Sequence, residues 1–134
     1  MPINASVSPV CIVSALPLDF GSYDPVGVNA TAPKDGQGTV TVQCLRGSTY
    51  TLKLDLGLNG VGTARNMKGP SGTLMHYELY RDSARTTVWN TVNTVGGTAV
   101  STAPLLVPVY GRIFPAQDVV AGAYTDTVTV TVEF

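Results

Sequence analysis

The sequence predicts an all-β domain, a sandwich or barrel of short strands, and three observations support that prediction. Charged residues make up only 13% of the chain, about half of the usual ~25%, and Thr, Val, Gly, Ser and Pro take their place. Turn signals recur about every ten to fifteen residues. Between them, apolar and polar residues alternate, which is the period-two pattern of a half-buried strand. No segment has a sustained helical period.

Length and charge narrow the functional classes. The 134 residues predict one domain that is large enough to bury one core. A formal net charge of −1 indicates no basic surface for nucleic acid or an anionic membrane. No apolar run approaches the ~20 residues that span a bilayer. The start, MPINASVSPV, lacks the features of a signal peptide, so we expect Met1 to be a start placed on a mature chain; a cytosolic protein is the alternative.

The first half of the chain contains four strand candidates. They cover residues 5–13, 17–25, 37–44 and 49–57. Phe20 is expected to point inward from the second candidate, and a polar loop over residues 26–36 follows it. The third and fourth alternate most clearly, and their predicted inward residues are Val40, Val42, Cys44, Tyr50, Leu52, Leu54 and Leu56.

In the second half of the chain, the predicted strands are more often interrupted by turns and loops. Strand candidates cover residues 65–68, 74–80 and 105–114, residues 87–90 form a short edge strand, and residues 94–100 form a loop or hairpin. Pro108 lies inside the 105–114 candidate. Because proline cannot donate to a ladder, that strand is expected to have an edge or a bulge there. Residues 115–124 connect to the last strand.

The last strand raises a question about its neighbour. From residue 128 the apolar residues alternate with Thr or Glu to the end, and β-branched content supports a strand. Val128, Val130, Val132 and Phe134 are predicted to face a core. A sandwich usually needs a partner beside such a strand, and no further sequence follows to provide one.

Two cysteines, Cys11 and Cys44, lie on separate predicted strands. They form no CxxC pair, and the single histidine, His76, completes no metal-binding set with them. We predict a disulfide, hence an oxidising compartment, worth about 3–4 kcal/mol on the chain-entropy model. Two buried thiols in a reducing cytosol are the alternative.

Catalytic and ligand-binding motifs are weak. GPSG is not a G-x-S-x-G elbow, and one histidine gives no convincing serine triad. The acidic residues are scattered, without a close pair for acid–base chemistry. We therefore predict no enzyme, no cofactor, no metal and no small-molecule substrate. Trp89 and the six tyrosines are expected to pack in the core or along edges, and a sugar-binding site is the alternative.

Several stretches together resemble the spore coat protein U family, which includes the pilins of archaic chaperone–usher pathways. The stretches that carry the resemblance are CIVSALPLDFGSYDP, GTVTVQCLRGSTYTLKLDLG, RNMKG, YELYRDSARTTVW, VYGRI and AGAYTDTVTVTVEF, in that order. They cover nearly the whole chain.

The resemblance implies an incomplete immunoglobulin-like sandwich that lacks its last strand. A hydrophobic groove would stay open beside the C-terminal strand, lined by the four inward residues from Val128 to Phe134. A periplasmic chaperone would fill it first, and the N-terminal arm of the next copy would replace the chaperone at an outer-membrane usher. The resemblance also implies that Cys11 and Cys44 form the disulfide of the family. The chain would be a secreted fibre subunit with a role in adhesion or biofilm.

The resemblance also suggests a division at residue 10. Residues 11–134 would form the sandwich, and residues 1–10 a short donor arm, a first strand, or both. Ten residues span about 33 Å at ~3.3 Å each, which is barely enough for both. Ile3, Ala5 and Val7 alternate and are candidate donor side chains, and a truncated or engineered form fits as well. A coat protein of the same family and a carbohydrate-binding module with a complete sandwich remain alternatives.

Overall fold

The computed structural model describes residues 1–134 and contains eight β-strands and two single-turn 3₁₀-helices. The strands are β1 (Cys11–Leu16), β2 (Lys34–Cys44), β3 (Thr49–Leu54), β4 (Arg65–Lys68), β5 (Leu74–Tyr80), β6 (Val95–Thr98), β7 (Leu105–Ile113) and β8 (Val130–Glu133). The 3₁₀-helices are Val28–Ala30 and Pro70–Gly72. The all-β prediction is confirmed. No helix is both long and apolar enough to cross a bilayer.

The strands form two sheets in which every pairing is antiparallel. One sheet has five strands in the order β1-β2-β7-β5-β4, and the other has three in the order β6-β3-β8. β7 pairs with β2 along its whole length but with β5 only from Tyr110 to Ile113. Pro108 therefore lies where one side of β7 has no partner, as the edge prediction required.

The core lies between the two sheets and comes from the predicted alternation. Val40, Val42, Leu52 and Leu54 are each at most 2% exposed. Trp89 is fully buried, and its indole Nε1 donates to the Leu52 carbonyl at 3.0 Å. This burial rules out a surface sugar site built on the tryptophan, since the ring has no exposed face.

A buried ion pair supports the end of the core where β4 begins. The Arg65 side chain is fully buried, and its Nη1 lies 2.8 Å from Oε1 of Glu78. The same guanidinium donates to the carbonyls of Asp55 and Trp89, each at 2.7 Å. Because these partners use the guanidinium donors, the charge is compensated rather than left unpaired.

Two predicted strands in the first third of the chain are wrong in part. β1 begins at Cys11 rather than at residue 5, because its partner β2 ends at Cys44, directly opposite. Residues 17–25 form no strand. Proline at position 17 provides no N–H for a ladder. Phe20 nevertheless packs against the core, as predicted.

The region between β5 and β7 also differs from the prediction. Residues 87–90 form no strand; Val88 makes one isolated bridge to Tyr80. Burial of Trp89 pulls this segment into the core, where it cannot extend along a sheet edge. Of the predicted loop or hairpin over residues 94–100, Val95–Thr98 is a strand, β6, paired with β3.

Candidate functional site

A long groove opens between the two sheets on one side of the sandwich. Its volume is about 1220 Å³, and 21 of its 32 lining residues are hydrophobic. One wall is the end of β1 with residues 16–20, and the other wall is the segment 121–130, which we call the acceptor wall. The floor consists of core side chains: Val40, Leu54, Met67, Met75, Tyr77, Leu79, Val109 and Ile113.

Each wall presents a sheet edge without a strand partner. β1 pairs only with β2, and β8 pairs only with β3. Val10 accepts from the Leu45 amide at 2.9 Å. Since the hydrogen-bonding direction alternates along an antiparallel strand, the main chain of Cys11, Val13 and Ala15 faces the open edge. Of these three residues only Ala15 lines the groove, so β1 offers main-chain donors and acceptors to the groove at that end of the strand.

The acceptor wall shows the same alternation. Main-chain bonds to the rest of the protein come from Thr125, Thr127 and Thr129: Lys68 donates to Thr125 at 2.8 Å, and Asp55 donates to Thr129 at 3.1 Å. Val128 lies between Thr127 and Thr129, and Val130 is the next alternate residue. Both therefore direct their main-chain N–H and C=O groups toward the groove. An inserted strand would find main-chain partners at Ala15 on one side and at Val128 and Val130 on the other.

One end of the groove is already filled by its own chain. Leu18 and Phe20 lie over glycines of β2 and β7, and the Phe20 ring packs edge-on against Tyr77 with centroids 6.2 Å apart. A Cβ atom on Gly111 would lie 2.7 Å from the Phe20 ring. Glycine is required there because any side chain would displace this aromatic plug.

The structure places the four predicted groove residues differently from one another. Val128 and Val130 are half-buried and line the groove. Val132 packs against the core outside the groove lining. Phe134 is 60% exposed and lies outside it too. The alternation holds along the strand, but two of the four side chains border the opening.

The proposed donor residues all lie in the open. Residues 1–10 form no strand and are exposed throughout. Ile3 is 84% exposed and Val7 is 77% exposed, and Ala5 between them is exposed as well. This segment presents apolar side chains that nothing in its own chain covers.

Cys11 and Cys44 are bonded to each other, so the predicted disulfide is confirmed. Their Cα atoms are 4.1 Å apart and face each other across the β1–β2 pair. The bond joins an edge strand to its only neighbour, at the point where residues 1–10 leave the sandwich. It therefore secures one wall of the groove.

Sequence reasoning missed most of the groove. Met67, Met75 and Tyr77 contribute to its floor, and the connection 119–126 contributes to its wall. The terminal motif GAYTDTV contained a signal, because its Asp126 binds Tyr77 through the phenolic hydroxyl. Burial, and after it this hydrogen bond, raises the pKa of the Tyr77 phenol well above its ordinary value. No cluster of three or more His, Cys, Asp or Glu side chains could hold a metal ion.

Comparison with known proteins agrees with this architecture. The Spore Coat Protein U domain model matches residues 1–131. Protein U of Myxococcus xanthus is 35% identical over 127 residues, which is 87% of this chain and 71% of that protein.

Among solved structures, a chain of the CsuC–CsuE chaperone–tip adhesion subunit pre-assembly complex from archaic chaperone–usher Csu pili of Acinetobacter baumannii is similar. It superposes with a TM-score of 0.70 at 26% identity, over 96% of this chain and 40% of that one. The present chain thus spans about two fifths of that chain's length. This likeness confirms the predicted immunoglobulin-like pilin fold, and the sequence match shows that the chain belongs to the Spore Coat Protein U domain family.

Proposed function

We propose that this protein is a structural subunit of a surface fibre and that its groove accepts a β-strand from another polypeptide. The observation that carries this proposal is an apolar groove bordered by two unpaired sheet edges, β1 and β8. An unpaired edge is a template for a strand of another chain. The similarity to a chain of a chaperone–usher pilus complex supports the same function.

The energetics of such an insertion follow from the groove's composition. A strand between the two walls would form ladders on both sides, and its alternate side chains would cover the floor. Each fully buried aliphatic side chain contributes roughly 1.5–3 kcal/mol. Two such side chains, those of Ile3 and Val7 in the predicted donor arm, would contribute about 3–6 kcal/mol before the cost of ordering the strand is subtracted. Assembly would therefore need no catalytic step.

The proposed partners are further copies of the chain and the machinery that exports them. Residues 1–10 would be the donor arm of each copy, with Ile3, Ala5 and Val7 entering the groove of the next, and residues 11–134 would be the accepting domain. A periplasmic chaperone would occupy the groove first, and an outer-membrane usher would exchange it for the arm. The fibre would be on the cell surface and act in adhesion or biofilm formation.

A coat protein on a spore or cell surface is the second candidate. The name of the matching family, the Spore Coat Protein U domain, favours it. Both functions use the same strand insertion, so they differ in the form of the assembly. Electron microscopy of assembled material distinguishes thin fibres from a continuous layer.

A pair of variants in β8 tests the groove assignment. Val130→Asp places a carboxylate among the apolar groove residues, where an unpaired charge is costly. Thr131→Asp is the matched control, because Thr131 follows Val130 in β8, is exposed and lies opposite Lys53. Each variant is co-expressed with a chaperone of the chaperone–usher type, with and without an usher, and the products are analysed by size-exclusion chromatography and electron microscopy.

We expect a one-to-one complex and fibres from wild type and from Thr131→Asp, and neither from Val130→Asp. Normal chaperone binding and normal fibres from Val130→Asp would show that the groove is not the assembly site. Loss of both with Thr131→Asp would show that any charge in β8 is harmful, and the groove argument would then lose its support.

A further inference from the structure

The acceptor wall changes its partner between Thr125 and Thr127. Thr125 pairs with Lys68 of β4, in the five-stranded sheet, through bonds of 2.8 and 3.1 Å. Thr127 accepts from the Leu58 amide at 3.1 Å, on the extension of β3. The wall thus crosses from one sheet to the other, and Asp126 is the residue at the crossing.

The ladder contains an extra residue at this crossing. Asp55 donates to Thr129, and Leu58 donates to Thr127. The three residue steps from Asp55 to Leu58 therefore lie opposite only two steps, from Thr127 to Thr129. An unequal count of this kind is a β-bulge, which bends a strand and redirects it. Gly57 lies within the bulge at φ +79°, and the Asp126 carboxylate occupies the place of a Cβ atom on Gly57. Only glycine combines that φ with that space.

The Asp126 carboxylate joins the wall to two other parts of the groove. Its Oδ1 accepts from the amides of Leu58 and Asn59 at 3.1 and 3.3 Å, and from Asn59 Nδ2 at 3.0 Å. Its Oδ2 accepts from the hydroxyl of Tyr77, a floor residue. A phenol at its ordinary pKa of 10.0 is already protonated and donating at neutral pH, and burial raises the pKa of Tyr77 further. Four donors therefore converge on one carboxylate beside the groove.

We propose that Asp126 is a positioning residue for strand acceptance. It ties the floor at Tyr77 to the bulge at Gly57, and so it sets the place of the acceptor edge at Val128, two residues further along. Its oxygens already have partners within the chain, so it acts through the wall and does not contact the incoming strand. This inference rests on the proposed function, since it assumes that a strand enters the groove.

The test compares two aspartates that each accept several hydrogen bonds. Asp126→Asn weakens the junction while keeping its shape. Asp82→Asn is the control, because Asp82 accepts from the amides of Thr86 and Thr87 in a turn that does not line the groove. The probe is a fluorescent synthetic peptide of residues 1–10, titrated into each refolded full-length chain. Fluorescence anisotropy gives the peptide affinity, and thermal unfolding without peptide gives the stability.

We expect Asp126→Asn to bind the peptide about tenfold or more weakly, which corresponds to ~1.4 kcal/mol. Asp82→Asn should keep the wild-type affinity even where it lowers the thermal midpoint as much. Tyr77→Phe, which removes only the hydroxyl donor, should weaken binding in the same direction. Wild-type affinity in Asp126→Asn, or an equal loss in Asp82→Asn, would overturn the proposal.

A second measurement separates this inference from the proposed function. Wild type that fails to bind the peptide would show that residues 1–10 are not the donor. Amide hydrogen exchange in the peptide-free chains would then decide the role of Asp126. Faster exchange of the Lys68 and Thr125 amides in Asp126→Asn, but not in Asp82→Asn, would support a role of Asp126 in positioning the acceptor wall. Unchanged exchange of both amides in Asp126→Asn would refute that role.

Discussion

Removing the disulfide should destabilise the protein strongly, and the effect can be estimated from its position. The double substitution Cys11→Ala and Cys44→Ala removes a bond between residues 33 positions apart. On the chain-entropy model, a loop of that length contributes about 3–4 kcal/mol. Domains of ordinary stability have only about 5–15 kcal/mol in total, so the loss is a large share.

The structure also predicts where the damage falls. β1 has no partner except β2, and the bond joins these two strands at the end of β1 that continues into residues 1–10. Without it, β1 can separate from β2 from that end. Ala15 and Leu16, which line one groove wall, would then lose their positions. We therefore expect weaker peptide or chaperone binding as well as lower stability.

Urea unfolding of the refolded chain measures the effect. With a slope of about 2 kcal/mol per molar urea, a loss of 3–4 kcal/mol lowers the midpoint by about 2 M. Ile12→Ala, on the exposed face of the same strand, is the control and should lower the midpoint far less. A midpoint shift below about 0.5 M for the double variant would refute the argument that this bond secures β1.

Three further predictions concern other parts of the fold. Arg65→Met leaves the buried carboxylate of its ion pair unpaired, and we expect a loss of about 3–5 kcal/mol by thermal or urea unfolding. The hydrogen bond from Arg112 lowers the pKa of Asp35 below its ordinary value of 3.8, so its contribution is present above pH 3.8 and is lost as the pH falls below that value; thermal midpoints measured against pH should fall less steeply in Asp35→Asn. Gly69→Ala puts a Cβ into the ring of Tyr124 and should cost about 1–3 kcal/mol. In a double-mutant cycle, Gly69→Ala should cost little in the Tyr124→Ala background if that clash is the cause.

Local sequence patterns were most informative where strands alternate cleanly. β5 has the predicted bounds, and the inward residues of β2 and β3 are buried as expected. The pattern failed where the burial of one side chain in the core keeps its segment from extending along a sheet edge. Residues 87–90 were expected at an edge, but full burial of Trp89 leaves only one bridge there. Hydrophobic periodicity reports which face is apolar, and it does not report which partner covers that face.

The candidate site was predictable only along β8 and at the cysteines. Val128 and Val130 line the groove, which the family resemblance implied for all four residues, whereas Val132 and Phe134 lie outside its lining. Alternation cannot show where along a strand its neighbour stops, because side-chain direction repeats every two residues whether or not a groove is present. On the opposite wall, only Ala15 and Leu16 of β1 line the opening.

The sequence by itself determined the all-β class, the apolar faces of the strands and the family. These properties follow from composition, from period-two patterns and from short motifs, all of which are local in the chain. Only the tertiary structure decided that β1 and β8 are both unpaired edges beside one groove, and that Asp126 meets Tyr77 and Gly57 at its wall. Those contacts join residues about 50 or more positions apart, and no local pattern specifies which distant segments meet.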